Sequence, residues 1–439
     1  MIPEALIKVY EAFILFRYNE ITQTIHNISN STFNVLLVIT TILSLVYIFI
    51  SIRMILPRKK FNAPTLDFNK APFVTIQIPT RNELAAIRCA EKCLEFDYPK
   101  NKYEILIGDD SNNTEVSKAI ANFAKKHSQV KVIKRKENIG FKAGNLNNML
   151  NYSKGEIIVL FDSDFLPDED FLKRIVAPFS KDEKVAGVQA RWDFIRPNRN
   201  LVSILSSTIL SIIHHLVLPL VFTKSRLTFI CGSAEAVRKN TLVKLGGWAN
   251  GSFTEDIDYS LRMLKNGYKI IYLEDLSCKG EVPYTPKDFY KQQLRWAYGV
   301  TRSYINHSLD LARAKSLGIL DKSWLLFFGS GYLISFLLVA LFITGMLSFL
   351  THYPEPLNFA KFFYYLSRNI LMTSGLLFAS SVALYKRNNT KRIIQMVISS
   401  LSYGLVVLYY VNKGLFKAIL NKPMTWYLIN KEGNKLASN

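Results

Sequence analysis

Glu156-Ile-Ile-Val-Leu-Phe161 runs directly into Asp162-Ser163-Asp164. A short apolar, β-branched run that ends in a polar turn reads as a strand buried on both faces. Three upstream segments read the same way: Phe73–Ile78 (FVTIQI), Glu104–Ile107 (EILI) and Val130–Ile133. The stretches between them, Glu83–Phe96, Glu115–Lys126 and Ala143–Leu150, read as helices. Strands alternating with helices of this length predict a mostly parallel, doubly wound α/β sheet from Pro72 to about Asp288. Ligands of such sheets bind beyond the carboxyl ends of the strands. There the sequence carries Pro79-Thr80-Arg81-Asn82-Glu83, Asp109-Asp110-Ser111 and Asp162-Ser163-Asp164. It has no GxGxxG and no GxxxxGK[ST], which argues against dinucleotide binding and P-loop hydrolysis.

The rest of the chain points to a membrane. The 439 residues suggest two or three structural units. With 49% apolar and 20% charged residues the chain is not disordered, and its mean hydropathy of +0.12 is high for a soluble domain. Lys+Arg 55 against Asp+Glu 34 leave a net charge of +21, which suits an anionic membrane surface or nucleic acid. The aromatic motifs, zinc spacings and basic runs of nucleic-acid modules are missing, so no nucleic-acid partner is expected. Cys89, Cys93, Cys231 and Cys278 show neither zinc-site nor disulfide-framework spacing.

Phe33 to Leu56 carries one charge, Arg53, and is long enough to cross a bilayer. Arg58-Lys59-Lys60 assigns its far end to the cytoplasm. Residues 1–32, interrupted by Glu4, Lys8, Glu11, Arg17 and Glu20, read as an amphipathic surface segment. Between 323 and 412 three apolar runs (Trp324–Leu350, about Asn369–Tyr385, Ile393–Val411) read as about three spans. The count conflicts with the charge: three spans put the tail 413–439 outside, whereas the hinge Lys386–Arg392 and the tail lysines argue for inside. Leu201–Phe222, with His214-His215 inside an α/β pattern, reads as a buried or interfacial helix.

Four clusters carry chemistry. Asp162-x-Asp164 at a strand end can share a hard divalent cation that neutralises a diphosphate; the plainer reading is a capping turn. Lys142, in Phe-Lys-Ala-Gly-Asn-Leu-Asn at a helix start, suits phosphate or simple surface exposure. Thr254-Glu255-Asp256 follows Gly246-Gly247-Trp248; its acids answer the helix dipole, or one of them serves a sugar hydroxyl as general base. Gln292-Gln-Leu-Arg295-Trp296 lies on the amphipathic stretch 288–320, where Arg295 offers a fork for phosphate and Trp296 a flat face for a sugar, or both snorkel at the bilayer surface.

In this order, and with Phe229-Ile-Cys-Gly-Ser-Ala added, the clusters resemble the membrane-embedded processive glycosyltransferases of family 2: cellulose, mannan and glucomannan, chitin and hyaluronan synthases. The resemblance covers Pro72 to about Val300 and implies an α/β GT-A catalytic domain inserted between transmembrane helices, cytoplasmic, in a multi-pass plasma-membrane protein. It implies that Thr80, Glu83, Asp110, Lys142, Asp162 and Arg295 hold the nucleotide-sugar donor and Asp164 ligates Mg²⁺ or Mn²⁺. Cys231, Gly232, Ser233, Glu255, Gln292 and Trp296 would receive a glycan or lipid acceptor, and Asp256 would be the base of an inverting hexosyl transfer from UDP-glucose or GDP-mannose. The tail Trp426-Tyr-Leu-Ile-Asn-Lys431 loosely resembles a gating loop, with Ile429-Asn430 replacing Val-Thr. Arg81 stands where many relatives carry an aromatic against the base, leaving uracil and guanine both open. So few spans suggest a homo-oligomer or export partner. The rivals are single-sugar transfer to a polyprenyl phosphate or lipid, and a non-enzymatic basic scaffold.

Overall fold

A computed structural model describes residues 5, 8, 11–12, 15–16, 19–225, 227–352 and 358–434. Glu4 and Arg17 of the expected amphipathic segment, and Lys435 of the tail, lie outside them.

Among the described residues seven strands form one sheet: β1 Val74–Thr80, β2 Tyr103–Asp109, β3 Val130–Ile133, β4 Ile157–Leu160, β5 Val185–Ile195, β6 Glu235–Arg238 and β7 Lys269–Glu281. The order is β3-β2-β1-β4-β6-β5-β7. Only β6 runs against its neighbours, pairing antiparallel with β4 and β5. The sheet is therefore mostly parallel, as the alternation of strands and helices implies. Every residue of β1, β2 and β4 is buried, which is why these strands lack a polar alternation. β2, β1 and β4 are adjacent and parallel, so the polar clusters that follow them emerge side by side on one edge. β5, β6 and β7 were not among the sequence-expected strands, although β7 opens with the apolar run Ile270-Ile271-Tyr272-Leu273.

Among the described residues four helices are long and apolar enough to cross a membrane: Glu20–Ile55, Leu201–Ser225, Leu333–Thr351 and Thr390–Ile419. The first begins at Glu20, capped by Asn19, so the stretch expected to start at Phe33 is continuous with what precedes it. Leu201–Ser225 is largely buried in the protein, as its position inside the α/β pattern suggests. The expected run Trp324–Leu350 is broken after Gly329 into Ile319–Gly329 and Leu333–Thr351. The expected run near 369–385 is broken as well, into Phe359–Thr373 and Gly375–Lys386. The break has a packing cause: Gly375 donates its N–H to Ser44 Oγ at 2.6 Å, and a Cβ there would come within 2.2 Å of the Ser44 carbonyl oxygen.

The Ile393–Ile419 helix touches the rest of the protein near both ends. Near its start Ser399 bonds the Leu201 carbonyl at 2.6 Å; near its end Arg302 bonds the Ala418 carbonyl at 3.3 Å. The hinge before it also touches the domain, through Asn389 and Asn198.

Candidate active site

Two cavities meet at the carboxyl edge of the sheet. The smaller, about 140 Å³, is bordered by Thr80, Glu83, Asp110, Lys142, Asp162 and Arg295. The larger, about 290 Å³, is bordered by Asp164, Cys231, Gly232, Glu255, Asp256, Gln292 and Trp296, and also reaches Lys142, Asp162 and Arg295. Every site residue named from the sequence except Ser233 therefore lines one of two touching spaces. Ser233 is wholly buried and its hydroxyl accepts the Asp162 N–H at 2.9 Å, so it supports Asp162 from behind and does not face the cleft.

Lys142 joins the two spaces. It begins the Phe141–Leu150 helix, just after Gly140. Its ammonium lies 2.7 Å from Asp162, 3.1 Å from Glu255 and 2.6 Å from the Gly232 carbonyl. Burial alone would push the lysine down, but Asp162 and Glu255 outweigh it and hold the amine firmly protonated. Asp256 follows Glu255 in the first turn of the Glu255–Lys265 helix. Burial, reinforced by the Glu255 charge, pushes its carboxyl up to about 7, against the opposing pull of Lys142. That value is near-optimal for a general base at neutral pH.

The supports of these groups are local. Arg262 spans from Asp258 (2.7 Å) to the Leu245 and Gly247 carbonyls (2.5 and 2.8 Å), and His307 bonds Asp258 at 2.8 Å. Asn147 bonds both backbone sides of Trp248, at 2.8 and 2.9 Å, which ties the Lys142 helix to the turn before Asp256. Gln292, Arg295 and Trp296 share one face of the Pro286–Arg313 helix, at the spacing of one helical turn. Asp110 is held by both guanidinium arms of Arg135, at 2.8 and 2.5 Å, a partner that sequence reading missed. Arg135 is one basic residue among several in a loop, so no local signal singled it out.

The tail completes the site. Lys431 lies 2.7 Å from Asp164 and 3.1 Å from Glu83 and bonds Ser163 at 2.9 Å. Although burial would lower it, Asp164 and Glu83 hold this amine protonated as well. Trp426 stacks on Phe141 and Phe253, with ring centroids at 5.6 and 5.8 Å, under the Arg295 guanidinium at 4.7 Å. Glu281 accepts the backbone N–H groups of Glu432 (2.6 Å) and Gly433 (2.9 Å). Residues 426–431 thus border the two cavities. Among the described residues no group of three or more His, Cys, Asp or Glu side chains gathers as a ready metal cage. Asp164 and Glu83 nevertheless accommodate a cation, since an ammonium rests between them, so the donor set fits a hard ion completed by ligand oxygens.

The model of the family "Glycosyltransferase like family 2" matches residues 71–299, more than half the chain. This chain is a family 2 glycosyltransferase. The glycosyltransferase resembles two plant proteins described as probable glucomannan 4-beta-mannosyltransferases. Number 7 of Oryza sativa subsp. japonica is 30% identical over 266 residues, covering 58% of this chain and 45% of the rice protein, so the chain spans about half of that relative's length. Number 11 of Arabidopsis thaliana is 26% identical over 377 residues, covering 83% and 82%. Among solved structures the mannosyltransferase PcManGT from Pyrobaculum calidifontis, in complex with GDP-Man and Mn²⁺, aligns with TM-score 0.63 at 20% identity, over 90% of this glycosyltransferase and all of PcManGT. At that identity the match establishes the GT-A fold.

Proposed function

We propose that the enzyme transfers mannose from GDP-mannose to the end of a β-linked glycan at the cytoplasmic face of the plasma membrane, inverting the anomeric centre. The observation that carries this is the junction of the two cavities: Lys142, Asp162 and Arg295 border both, while Asp256 borders only the larger. A donor in the smaller space would have its diphosphate at the shared cations and its sugar facing Asp256. The acceptor hydroxyl oxygen attacks the anomeric carbon from the side opposite the nucleotide, its proton passes to the Asp256 carboxylate, and the carbon–oxygen bond to the diphosphate breaks. Lys142 and Arg295 balance the charge of the departing nucleoside diphosphate. Mg²⁺ or Mn²⁺, held by Asp164, would add to that neutralisation. Trp296 offers the terminal acceptor sugar an apolar face.

Mannose is preferred over glucose because the plant relatives are described as mannosyltransferases and PcManGT is described with GDP-Man. Glu20–Ile55, Leu333–Thr351 and the broken pair Phe359–Lys386 serve as spans in this reading, and Ile393–Ile419 lies along the domain at the interface. That count leaves the tail cytoplasmic, beside the site it covers. Processive extension follows from the Gln292-x-x-Arg295-Trp296 motif. A lipid-linked acceptor is the second reading, favoured by Leu210, Ile213, Leu218 and Phe328 along the larger cavity. Purified enzyme with Mn²⁺ and labelled GDP-mannose, UDP-glucose or UDP-N-acetylglucosamine distinguishes the two. Polymer cleaved by a β-mannanase supports the first; label confined to the organic phase supports the second, and labelling from a UDP-sugar alone overturns the donor assignment.

A further inference from the structure

Behind the catalytic cluster lies a carboxyl group that the reaction as described does not use. Glu235 is the first residue of β6, paired with Leu160 of β4 and Gln189 of β5, and fully buried. A carboxylate in the middle of a sheet needs a cation or several donors to be tolerated. Among the described residues the Glu235 carboxyl has one hydrogen bond: its Oε2 accepts the Gly232 N–H at 2.6 Å. Its Oε1 is buried and has no hydrogen-bond partner among the described residues.

The group it holds is central. Gly232 has φ +86°, and a Cβ at that position would approach Asp256 Oδ2 to 3.2 Å and Lys142 Nζ to 3.5 Å. The carbonyl of the same residue accepts the Lys142 ammonium at 2.6 Å. The turn therefore forms the wall between Glu235 and the reacting groups, and the height of Gly232 sets the lysine and the base together.

We propose that Glu235 is a positioning residue for glycosyl transfer, a brace that fixes Gly232 through its N–H and thereby fixes Lys142 and Asp256. The brace works as a neutral acid. Burial and the Asp256 charge push the Glu235 carboxyl far above the usual range, with Lys142 opposing. The titratable groups facing it are Asp256, Glu255 and Tyr259 from the helix after Thr254, Lys142 from the Phe141–Leu150 helix, and Cys231 on the turn itself. An ionised Glu235 would add a second negative charge behind Asp256 and favour the protonated form of the base, which cannot take a proton. A neutral one supplies the acceptor oxygen without that charge.

The inference rests on Asp256 acting as base, so the test keeps the two claims apart. Glu235→Ala, Glu235→Asp and Glu235→Gln are compared by kcat, donor KM and the pH profile of kcat. Alanine removes the acceptor and aspartate falls one methylene short of Gly232; both should lower kcat by at least about tenfold, with donor KM changed less than about threefold. Glutamine keeps an acceptor oxygen without charge and should recover most of that turnover, with the acid limb at the wild-type pH. If alanine does not fold, aspartate and glutamine decide alone. A kcat loss in glutamine as large as in aspartate, or an acid limb moved by about one pH unit, overturns the neutral brace. Wild-type kcat in alanine or aspartate overturns any positioning role. Asp256→Asn run in parallel addresses the other claim: retained turnover there refutes the base, whatever the Glu235 variants do.

Discussion

Asp256→Asn has opposite expected effects on catalysis and on folding. Asparagine keeps the shape of the side chain but cannot take the acceptor proton, and loss of a general base lowers turnover by about 10²–10⁴-fold. Stability should rise. The carboxyl moves from 3.8 in an unfolded chain to about 7 in the fold, and at about 1.4 kcal/mol per pH unit the fold opposes ionisation by on the order of 4 kcal/mol. The side chain is only partly buried, and water in the cavity screens part of this, so the variant should gain about 2–4 kcal/mol. The pH dependence is specific. Because Asp256 is a weaker acid folded than unfolded, the wild-type protein loses stability as pH rises from about 4 to about 7, then levels off. The variant's advantage should therefore be full at about pH 8 and nearly gone at about pH 4. Thermal melting of both proteins in one detergent across that range reads it directly, as a difference of several degrees. A variant no more stable than wild type at the alkaline end would refute the buried, opposed carboxylate. Undiminished donor affinity measured by calorimetry would confirm that only the base was lost.

Four further outcomes follow from the same geometry. The acid limb of kcat/KM should fall near pH 7, since Asp256 must be ionised to act and its value in the fold is about 7; a limb near the ordinary carboxylate range would contradict this. Lys431→Gln should bind Mn²⁺ several-fold more tightly without nucleotide, because the ammonium otherwise rests on Asp164; electron paramagnetic resonance of free Mn²⁺ measures it, and equal affinities would show no competition. Asp164→Asn should abolish most of that Mn²⁺ binding while the protein stays folded. Trp426→Ala removes two ring stacks and an Arg295 contact, about 1–3 kcal/mol together, and should speed proteolytic clipping of residues 422–434.

The strand ends were legible because central parallel strands are apolar throughout, and an abrupt polar turn after such a run marks the edge where ligands bind. Thr80, Asp110 and Asp162 could be grouped from that rule alone. β5 carries polar and charged residues along the run and β6 is a four-residue antiparallel insertion, so neither showed the same signature; β7 did, in Ile270-Ile271-Tyr272-Leu273 before Glu274-Asp275, and was overlooked. Ser233 was misjudged for a related reason. A motif gives the order of residues along the chain but not the side to which each points, and the positive φ values at Gly232 and Ala234 turn Ser233 inward to Asp162.

The sequence by itself determined the local chemistry: which residues are acids, which apolar runs form β1 to β4, that Lys142 lies in the first turn of a helix, and that the chain is apolar enough for a membrane. These depend on composition and on neighbours a few residues away. Tertiary structure alone decided what lies far apart in the chain: Arg135 on Asp110, Glu235 behind Gly232, Ser44 against Gly375, and Lys431 between Glu83 and Asp164. It also placed the helix after the hinge against Leu201 and Arg302. Such pairings are set by the closing of the sheet and the packing of helices across it, and no short window of sequence contains both partners.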